Sequence, residues 1–201
     1  MTALQSDEQL LRLTLGGDAR AFETLYDRLQ GGIYRYALRM TGSPATAEDV
    51  TQEVFLSLVR DRCDYVESKG KFRSYLYAMA RYRLMRRLER ERNFVPLDGD
   101  EDGSEPVSCH DPFLDVAREE VIDLVRQAVL SLPAHFREVI VLCYLQEMNY
   151  AEAGEIIDCP IGTVRSRLAR ARSLLVKKLS VLRTSEGSEI ATAGIPVLKT
   201  T

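Results

Sequence analysis

The chain has 201 residues, with 27 Lys and Arg against 30 Asp and Glu, and 45% of its residues are hydrophobic. This composition is typical of a soluble globular protein, and the length allows one domain or two small ones. Its longest apolar run, Val139–Leu145, is far shorter than the ~18 residues that a membrane span needs, and residues 1–7 lack the basic start and apolar core of a secretory signal. We therefore expect a cytoplasmic protein with no direct membrane insertion.

The first elements in chain order are two predicted helices. Ser6-Asp7-Glu8-Gln9 has the pattern of a capping box, and the helix that it opens should end at Gly16-Gly17. Asp18 can cap a second helix, in which apolar residues recur at helical spacing. Gly31-Gly32 is expected to interrupt that pattern before Ile33–Met40 continues it.

A third helix is predicted to begin at Pro44, with Ser43 as its cap. One face of it carries the apolar residues Val50, Val54, Phe55, Leu58 and Val59, whereas Asp49, Gln52 and Glu53 lie on other faces. A loop from about Cys63 to Gly70 leads into a fourth helix. Its apolar positions are again at helical spacing: Phe72, Leu76, Met79, Ala80 and Leu84.

The helical pattern then stops between Asn93 and Pro112, where Pro, Gly and acidic residues replace the apolar ones. This composition predicts a flexible linker between two domains. We therefore predict an all-α fold of two small helical domains, with a mobile tail after the second. The predicted boundaries are 1–93 for the first domain, 94–117 for the acidic linker, 118–183 for the second domain and 184–201 for the tail.

The net charge of −3 conceals three blocks of opposite sign. Lys69–Arg92 carries nine basic and two acidic residues, Asp98–Glu120 carries nine acidic and one basic, and Gly162–Ser180 carries six basic and no acidic residues. A polyanion responds to charge within a Debye length of about 10 Å, so the blocks matter more than the total. Solvated helix faces are the alternative interpretation, but such faces usually mix both signs.

Residues 150–168 give the sharpest local prediction. A short helix from Tyr150 meets a turn that contains Pro160 and Gly162, and a longer helix begins near Thr163. Gly154 is small enough to let the two helices approach closely, and isoleucines, valine and leucine supply the packing. These features are those of a helix-turn-helix.

The second helix of this unit is amphipathic, with arginines on its outer face. Arg165, Arg167 and Arg170 lie near its N-terminal half, and that half contains no acidic residue. Arginine matches guanine edges and phosphates, and the first turns of such a helix reach the major groove. DNA binding is therefore favoured over a plain helical hairpin with a basic solvent-exposed face.

Three motifs follow one another along the chain. The first is Ala47–Phe55 (AEDVTQEVF), the second is Phe72–Leu76 (FRSYL) continuing to Ala80-Arg81, and the third joins Leu132-Pro133 and Arg137-Glu138-Val139 to Asp158–Leu168 (DCPIGTVRSRL). In this order and spacing, residues from about 7 to 183 resemble a bacterial RNA polymerase sigma factor of the extracytoplasmic-function (ECF) class. The resemblance implies a subunit that directs promoter-specific transcription initiation.

The resemblance also implies roles for particular residues. The polymerase-binding surface, which in the family docks on the β′ coiled coil of core RNA polymerase, corresponds here to Asp49, Gln52 and Glu53. A basic aromatic helix in the first domain is implied to recognise and melt the minus-ten promoter element, because rings stack on unpaired bases while arginines hold phosphates. Its residues here are Arg73, Tyr75, Tyr77, Arg81, Tyr82 and Arg86. The helix-turn-helix is implied to read the minus-thirty-five element through Thr163, Arg165, Ser166, Arg167 and Arg170.

The implied partners are core RNA polymerase, through its β′ and β subunits, promoter DNA and an anti-sigma factor. The acidic linker is implied to enter the RNA path of the polymerase as a charge mimic, although a plain spacer would have the same composition. Two other classes of protein remain open. One is a helix-turn-helix repressor or activator that binds duplex DNA alone, and the other is a sigma-like decoy that sequesters an anti-sigma factor.

Catalysis and metal binding are not indicated by the sequence. No Ser/His/Asp or Cys/His constellation and no phosphate-binding glycine loop is present. His110 and His135 are the only histidines, and neither stands at a zinc-ligand spacing from a cysteine; the pair Cys109-His110 offers too few ligands. We expect no enzymatic activity, no cofactor and no metal.

Overall fold

The computed structural model describes residues 5–60, 64–94 and 115–185, and every regular element within these ranges is helical. The all-α prediction is therefore confirmed. The α-helices are α1 (Asp7–Leu15), α2 (Ala19–Thr41), α3 (Pro44–Arg60), α4 (Phe72–Phe94), α5 (Asp115–Leu130), α6 (Ala134–Ile140), α7 (Tyr150–Ile157) and α8 (Ile161–Ser185). A short 3-10 helix, Glu67–Lys69, precedes α4, and a π-helical segment, Val141–Leu145, continues α6.

The first two helices begin where their caps predict. The Ser6 hydroxyl accepts a hydrogen bond from the Gln9 backbone N–H at 3.2 Å, and the Gln9 side chain accepts one from the Ser6 N–H at 3.0 Å. The Asp18 carboxylate accepts from the N–H groups of Arg20 and Ala21. Such caps satisfy N–H groups that have no partner inside the helix.

Helix α2 differs from the prediction, because it runs unbroken through Gly31 and Gly32. A glycine inside a helix costs only about 1 kcal/mol relative to alanine. The next turns of α2 bury Ile33, Tyr36 and Met40 completely, which outweighs that cost at ~1.5–3 kcal/mol per large apolar side chain. Tertiary packing has therefore overridden the local preference.

The first domain is formed by α1 to α4. Helix α3 begins at Pro44, and the Ser43 hydroxyl accepts from the Thr46 N–H at 3.2 Å, as predicted. Helix α3 packs on α2 and α4. The core of this domain contains large side chains from all four helices, including Leu10, Leu25, Tyr36, Phe55, Phe72 and Leu84.

The second domain contains α5 to α8. Helix α5 begins at Asp115, three residues before the predicted domain start. Helix α6 passes at Val141 into the π-helical segment, whose wide turn is closed by the hydrogen bond from the Gln146 N–H to the Val141 carbonyl.

The two domains lie against each other, with α4 packed on α7 and α2 on α5. One continuous hydrophobic cluster includes residues of both domains, from Leu10 to Ala171. Most of the predicted linker and residues 186–201 of the predicted tail lie outside the described residues; α8 extends two residues past the predicted end of the second domain, to Ser185. In the part of the chain that the structure describes, no helix is both long and apolar enough to cross a membrane.

Candidate nucleic-acid and polymerase interfaces

The predicted helix-turn-helix is formed by α7, a tight turn and α8. A capping box opens α7: the Asn149 side chain accepts from the N–H groups of Ala151 and Glu152, and the Glu152 carboxylate accepts from the Asn149 N–H. Asp158 ends α7 in the left-handed conformation at φ 57°, a conformation that aspartate tolerates better than most residues.

Gly154 is needed for the turn itself. A Cβ added at Gly154 would lie 2.9 Å from the backbone carbonyl oxygen of Cys159 and 3.8 Å from Val164 Cγ2. The predicted close approach therefore involves the turn backbone more than the second helix. Helix α8 begins at Ile161, two residues earlier than predicted, because the Pro160 carbonyl accepts from the N–H groups of Thr163 and Val164.

Helix α8 places its apolar and basic residues on different faces. Val164, Leu168 and Ala171 are buried, which fixes how the helix is rotated. The five residues predicted to read DNA lie on the first three turns. Of these, Arg165, Ser166 and Arg170 are exposed, and Thr163 and Arg167 are half-buried.

Arg165 has a neighbour that sequence reasoning missed. Its guanidinium carbon lies 5.7 Å from the ring centroid of Tyr150, the first residue of α7. A cation over an aromatic face gains about 0.5–1 kcal/mol at an exposed site. Tyr150 therefore orients Arg165 on the predicted DNA surface. The sequence could have indicated this contact only through the separation of the two residues along α7, the turn and α8.

Helix α4 exposes only part of its predicted DNA surface. Tyr82 is 60% exposed and Arg73 and Arg86 are also exposed. The Arg86 guanidinium carbon lies 5.6 Å from the Tyr82 ring centroid. This pair combines a stacking face with a cation, the combination that suits unpaired bases and their phosphates.

The other three predicted residues of α4 are engaged within the protein. Tyr75 is half-buried and its ring lies 5.6 Å from that of Tyr65. Tyr77 is only 2% exposed, and its hydroxyl donates to Gln146 Oε1 of the second domain at 3.0 Å. Arg81 is half-buried and its Nε donates to Glu138 Oε1 at 2.8 Å.

The predicted polymerase-binding residues lie exposed on α3, one turn apart. Arg87 of α4 bridges two of them: one guanidinium nitrogen lies 3.3 Å from Asp49 Oδ2 and the other 2.6 Å from Glu53 Oε1. Arg83 adds a contact to Glu53 Oε2 at 3.5 Å. Exposed ion pairs are worth about 0–1 kcal/mol, so an external cation can replace these arginines at low cost.

Two apolar side chains extend the same surface. Leu56 is 45% exposed and Val59 is 60% exposed, within two turns of Glu53 on α3. The prediction that Val59 lies on the buried face is wrong, because that face is formed by Val50, Val54, Phe55 and Leu58. The helical angle between residues 58 and 59 is about 100°, which turns Val59 away from the core.

Family comparisons assign both domains. Residues 25–94 match the model of Sigma-70 region 2, and residues 122–175 match that of Sigma-70 region 4. The chain is 32% identical over 171 residues to the ECF RNA polymerase sigma factor SigW of Bacillus subtilis, covering 81% of this chain and 91% of SigW. The chain belongs to the ECF family of RNA polymerase sigma factors. It is thus a sigma factor that directs transcription initiation, and the relatives that it matches are initiation factors rather than enzymes.

Other relatives agree with this assignment. The sigma factor is 29% identical over 197 residues to the RNA polymerase sigma-H factor of Pseudomonas aeruginosa, covering 90% of this chain and 98% of that protein. Its fold resembles CnrH in complex with the cytosolic domain of CnrY (TM-score 0.63, 23% identity, 90% of this chain and 99% of the other). It also resembles the sigma factor RpoE in complex with the anti-sigma factor NepR from Bartonella quintana (TM-score 0.62, 22% identity, 81% and 99%).

Proposed function

We propose that this sigma factor recognises promoters with two surfaces and binds core RNA polymerase with a third. The first turns of α8 read the minus-thirty-five element in the major groove, α4 recognises and melts the minus-ten element, and the α3 surface docks on the β′ subunit. The exposed, acid-free N-terminal face of α8 with Arg165 and Arg170 is the observation that carries the proposal. Arginines on such a face can donate hydrogen bonds to guanine edges and to phosphates. Because the face carries no acidic side chain, nothing on it repels the phosphates of the duplex.

The proposed division of the chain follows the predicted boundaries. Residues 1–93 bind polymerase and the minus-ten element, 94–117 form an acidic linker, and 118–183 bind the minus-thirty-five element. We also propose an anti-sigma factor as a partner, since the structures of CnrH and RpoE are complexes with CnrY and NepR.

Run-off transcription with purified core polymerase tests the whole proposal. A sigma factor starts RNA synthesis at a defined site, whereas a repressor, an activator that binds alone or a decoy does not. The DNA template carries a promoter whose start site is mapped after overexpression of this protein in a bacterial host. Purified protein that stays folded yet gives no defined start with core polymerase would refute the proposal.

The recognition helix is tested with three single substitutions. Arg167→Ala and Arg170→Ala should each weaken promoter use by about 1–3 kcal/mol if a base contact is lost. Lys177→Ala is the matched control, because Lys177 is an exposed cation on the same helix beyond the proposed DNA residues. Equal promoter use by all three variants would exclude this helix as the reader.

The α3 surface is tested by charge reversal. Asp49→Arg combined with Glu53→Arg should abolish binding to core polymerase, because like charges would then face the cations of the partner. Glu23→Arg with Asp27→Arg reverses two exposed carboxylates at the same spacing on α2 and is the control. Far-UV circular dichroism checks that both variants fold. Unchanged core affinity in the α3 variant would refute this docking surface.

A further inference from the structure

Three arginines on one side of the first domain have no carboxylate partner. Arg35 and Arg39 stand one turn apart on α2, and Arg73 lies in the first turn of α4, which packs on α2. Arg35 and Arg73 are exposed, and Arg39 is half-buried. Among the residues that the structure describes, no carboxylate lies within ion-pair distance of any of the three. Together they form the α2–α4 arginine cluster.

The charges of this cluster act on one small region, which is marked by a buried tyrosine. The Arg73 guanidinium carbon lies 5.7 Å from the centroid of the Tyr77 ring. Burial raises the pKa of the Tyr77 hydroxyl, and the positive charges of all three arginines oppose that rise. Burial lowers the pKa of Arg39, and the neighbouring charge of Arg35 lowers it further. Like charges so placed repel one another, so an anion that binds among them relieves this repulsion.

The adjacent glycines of α2 explain how the cluster fits against the helix. A Cβ added at Gly31 would lie 3.2 Å from a guanidinium nitrogen of Arg35, and one added at Gly32 would lie 2.7 Å from the Tyr77 hydroxyl oxygen. The absence of both side chains therefore lets the Arg35 guanidinium lie against its own helix and lets the Tyr77 hydroxyl approach the same turn. Glycine permits such close approach because it has no Cβ.

The chemistry of the cluster favours phosphate over a base. Arginine donates hydrogen bonds to phosphate oxygens in a planar fork. The aromatic ring that lies among these cations belongs to Tyr77, which is only 2% exposed, so a base cannot stack on it. Arg73 is also one of the predicted minus-ten residues, and the cluster therefore continues that predicted surface from α4 onto α2.

We propose that the α2–α4 arginine cluster binds the sugar–phosphate backbone of the promoter beside the minus-ten element, and that α2 is thereby part of the DNA-binding surface. This inference rests on the proposed function. Contacts to phosphate fix the position of the strand and carry no sequence information. The cluster should therefore strengthen binding to different promoters by about the same factor. Binding through it should also depend on salt, because each neutralised phosphate releases counterions.

Arg35→Ala is the direct test, because Arg35 is exposed and lies outside the set of residues predicted to contact DNA. Holoenzyme reconstituted with core polymerase is titrated against labelled promoter fragments at several KCl concentrations. Loss of one phosphate contact should lower the affinity about fivefold at about 0.15 M salt, and it should reduce the slope of log affinity against log salt by about one. Arg20→Ala removes an exposed arginine at the other end of α2 and should bind like wild type.

Gly31 allows the charge of the cluster to be reduced without removing an arginine. A glutamate four residues before an arginine on a helix forms an ion pair with it, and Gly31 stands four residues before Arg35. Gly31→Glu should therefore weaken promoter binding at least as much as Arg35→Ala does. Gly31→Gln has the same shape without the charge and should bind like wild type. Far-UV circular dichroism checks that all variants fold.

Two results would overturn this inference. One is an unchanged salt slope in folded Arg35→Ala together with equal promoter binding by Gly31→Glu and Gly31→Gln. The other is a loss of affinity confined to one promoter sequence, because a backbone contact acts on all sequences alike. Failure of wild-type holoenzyme to start RNA at a defined site is a different result, and it would refute the proposed function and this inference with it.

Discussion

Adjacent glycines in α2 should respond in opposite ways to the same substitution. A Cβ at Gly31 would meet only the Arg35 guanidinium, with one nitrogen 3.2 Å away at the end of an exposed, flexible side chain. Gly31→Ala should therefore gain the helix-propensity difference, about 0.5–1 kcal/mol of stability. A Cβ at Gly32 would lie 2.7 Å from the Tyr77 hydroxyl.

The Tyr77 ring has no room to withdraw, because it is buried and its hydroxyl donates to Gln146. Overpacking costs ~1–3 kcal/mol and the lost hydrogen bond about 1 kcal/mol more. After the helix gain is subtracted, Gly32→Ala should lose about 1–3 kcal/mol. The two variants should therefore differ by roughly 2–4 kcal/mol in the free energy of unfolding.

Urea denaturation followed by circular dichroism measures this difference, provided that the dependence of the free energy on denaturant is equal in both variants. Wild-type protein supplies the reference. If Gly32→Ala proved as stable as Gly31→Ala, the Tyr77 hydroxyl could not occupy the position described, and the interdomain hydrogen bond to Gln146 would be wrong with it.

Three further predictions concern stability and reactivity. Asp18→Ala should lose about 1 kcal/mol of stability because it removes the α2 cap, whereas Asp27→Ala on the exposed face of the same helix should change the urea midpoint little. Arg137→Lys should lower the free energy of unfolding by about 1–3 kcal/mol. The Arg137 guanidinium donates to the carbonyls of Met40, Leu130 and Leu132, and an ammonium cannot reach three diverging acceptors. Arg170→Lys, at an exposed site, is the control. Burial raises the pKa of the Cys143 thiol to about 11, so at pH 8 only about one molecule in a thousand carries the thiolate. Iodoacetamide should label Cys143 about two orders of magnitude more slowly in the folded protein than in urea, as followed by peptide mass spectrometry, and equal rates would contradict its burial.

The helix starts could be predicted from the sequence because their signals are local. Ser6, Asp18 and Ser43 cap the helices that follow them through hydrogen bonds within three residues. The course of α2 through Gly31-Gly32 could not be predicted, because it depends on the core against which Ile33 and Tyr36 pack. The π-helical segment could not be predicted either, because its residues are compatible with an α-helix and with a π-helix. Tertiary packing therefore decides between the two.

The candidate site could be predicted only as separate surfaces. The spacing of arginines on α8 indicates which residues face outward, and helical periodicity suffices for this. It cannot show that Tyr77 and Arg81 contact a second domain, because their partners Gln146 and Glu138 stand 69 and 57 residues away. Glu138 looks like an ordinary surface glutamate beside Arg137, and nothing in its neighbours along the chain indicates burial.

The shared use of α4 constrains how such a regulator can diverge. The side chains of Tyr77 and Arg81 each meet the opposite domain through a polar atom, so a substitution at either position alters interdomain affinity whatever else it alters. Under the proposed function, a substitution on this helix that changes the recognised promoter sequence therefore also changes the contact between the domains, and it requires compensating changes at Gln146 or Glu138. Among the residues that the structure describes, Tyr82 has no such counterpart across the interface, so this position is free to vary first.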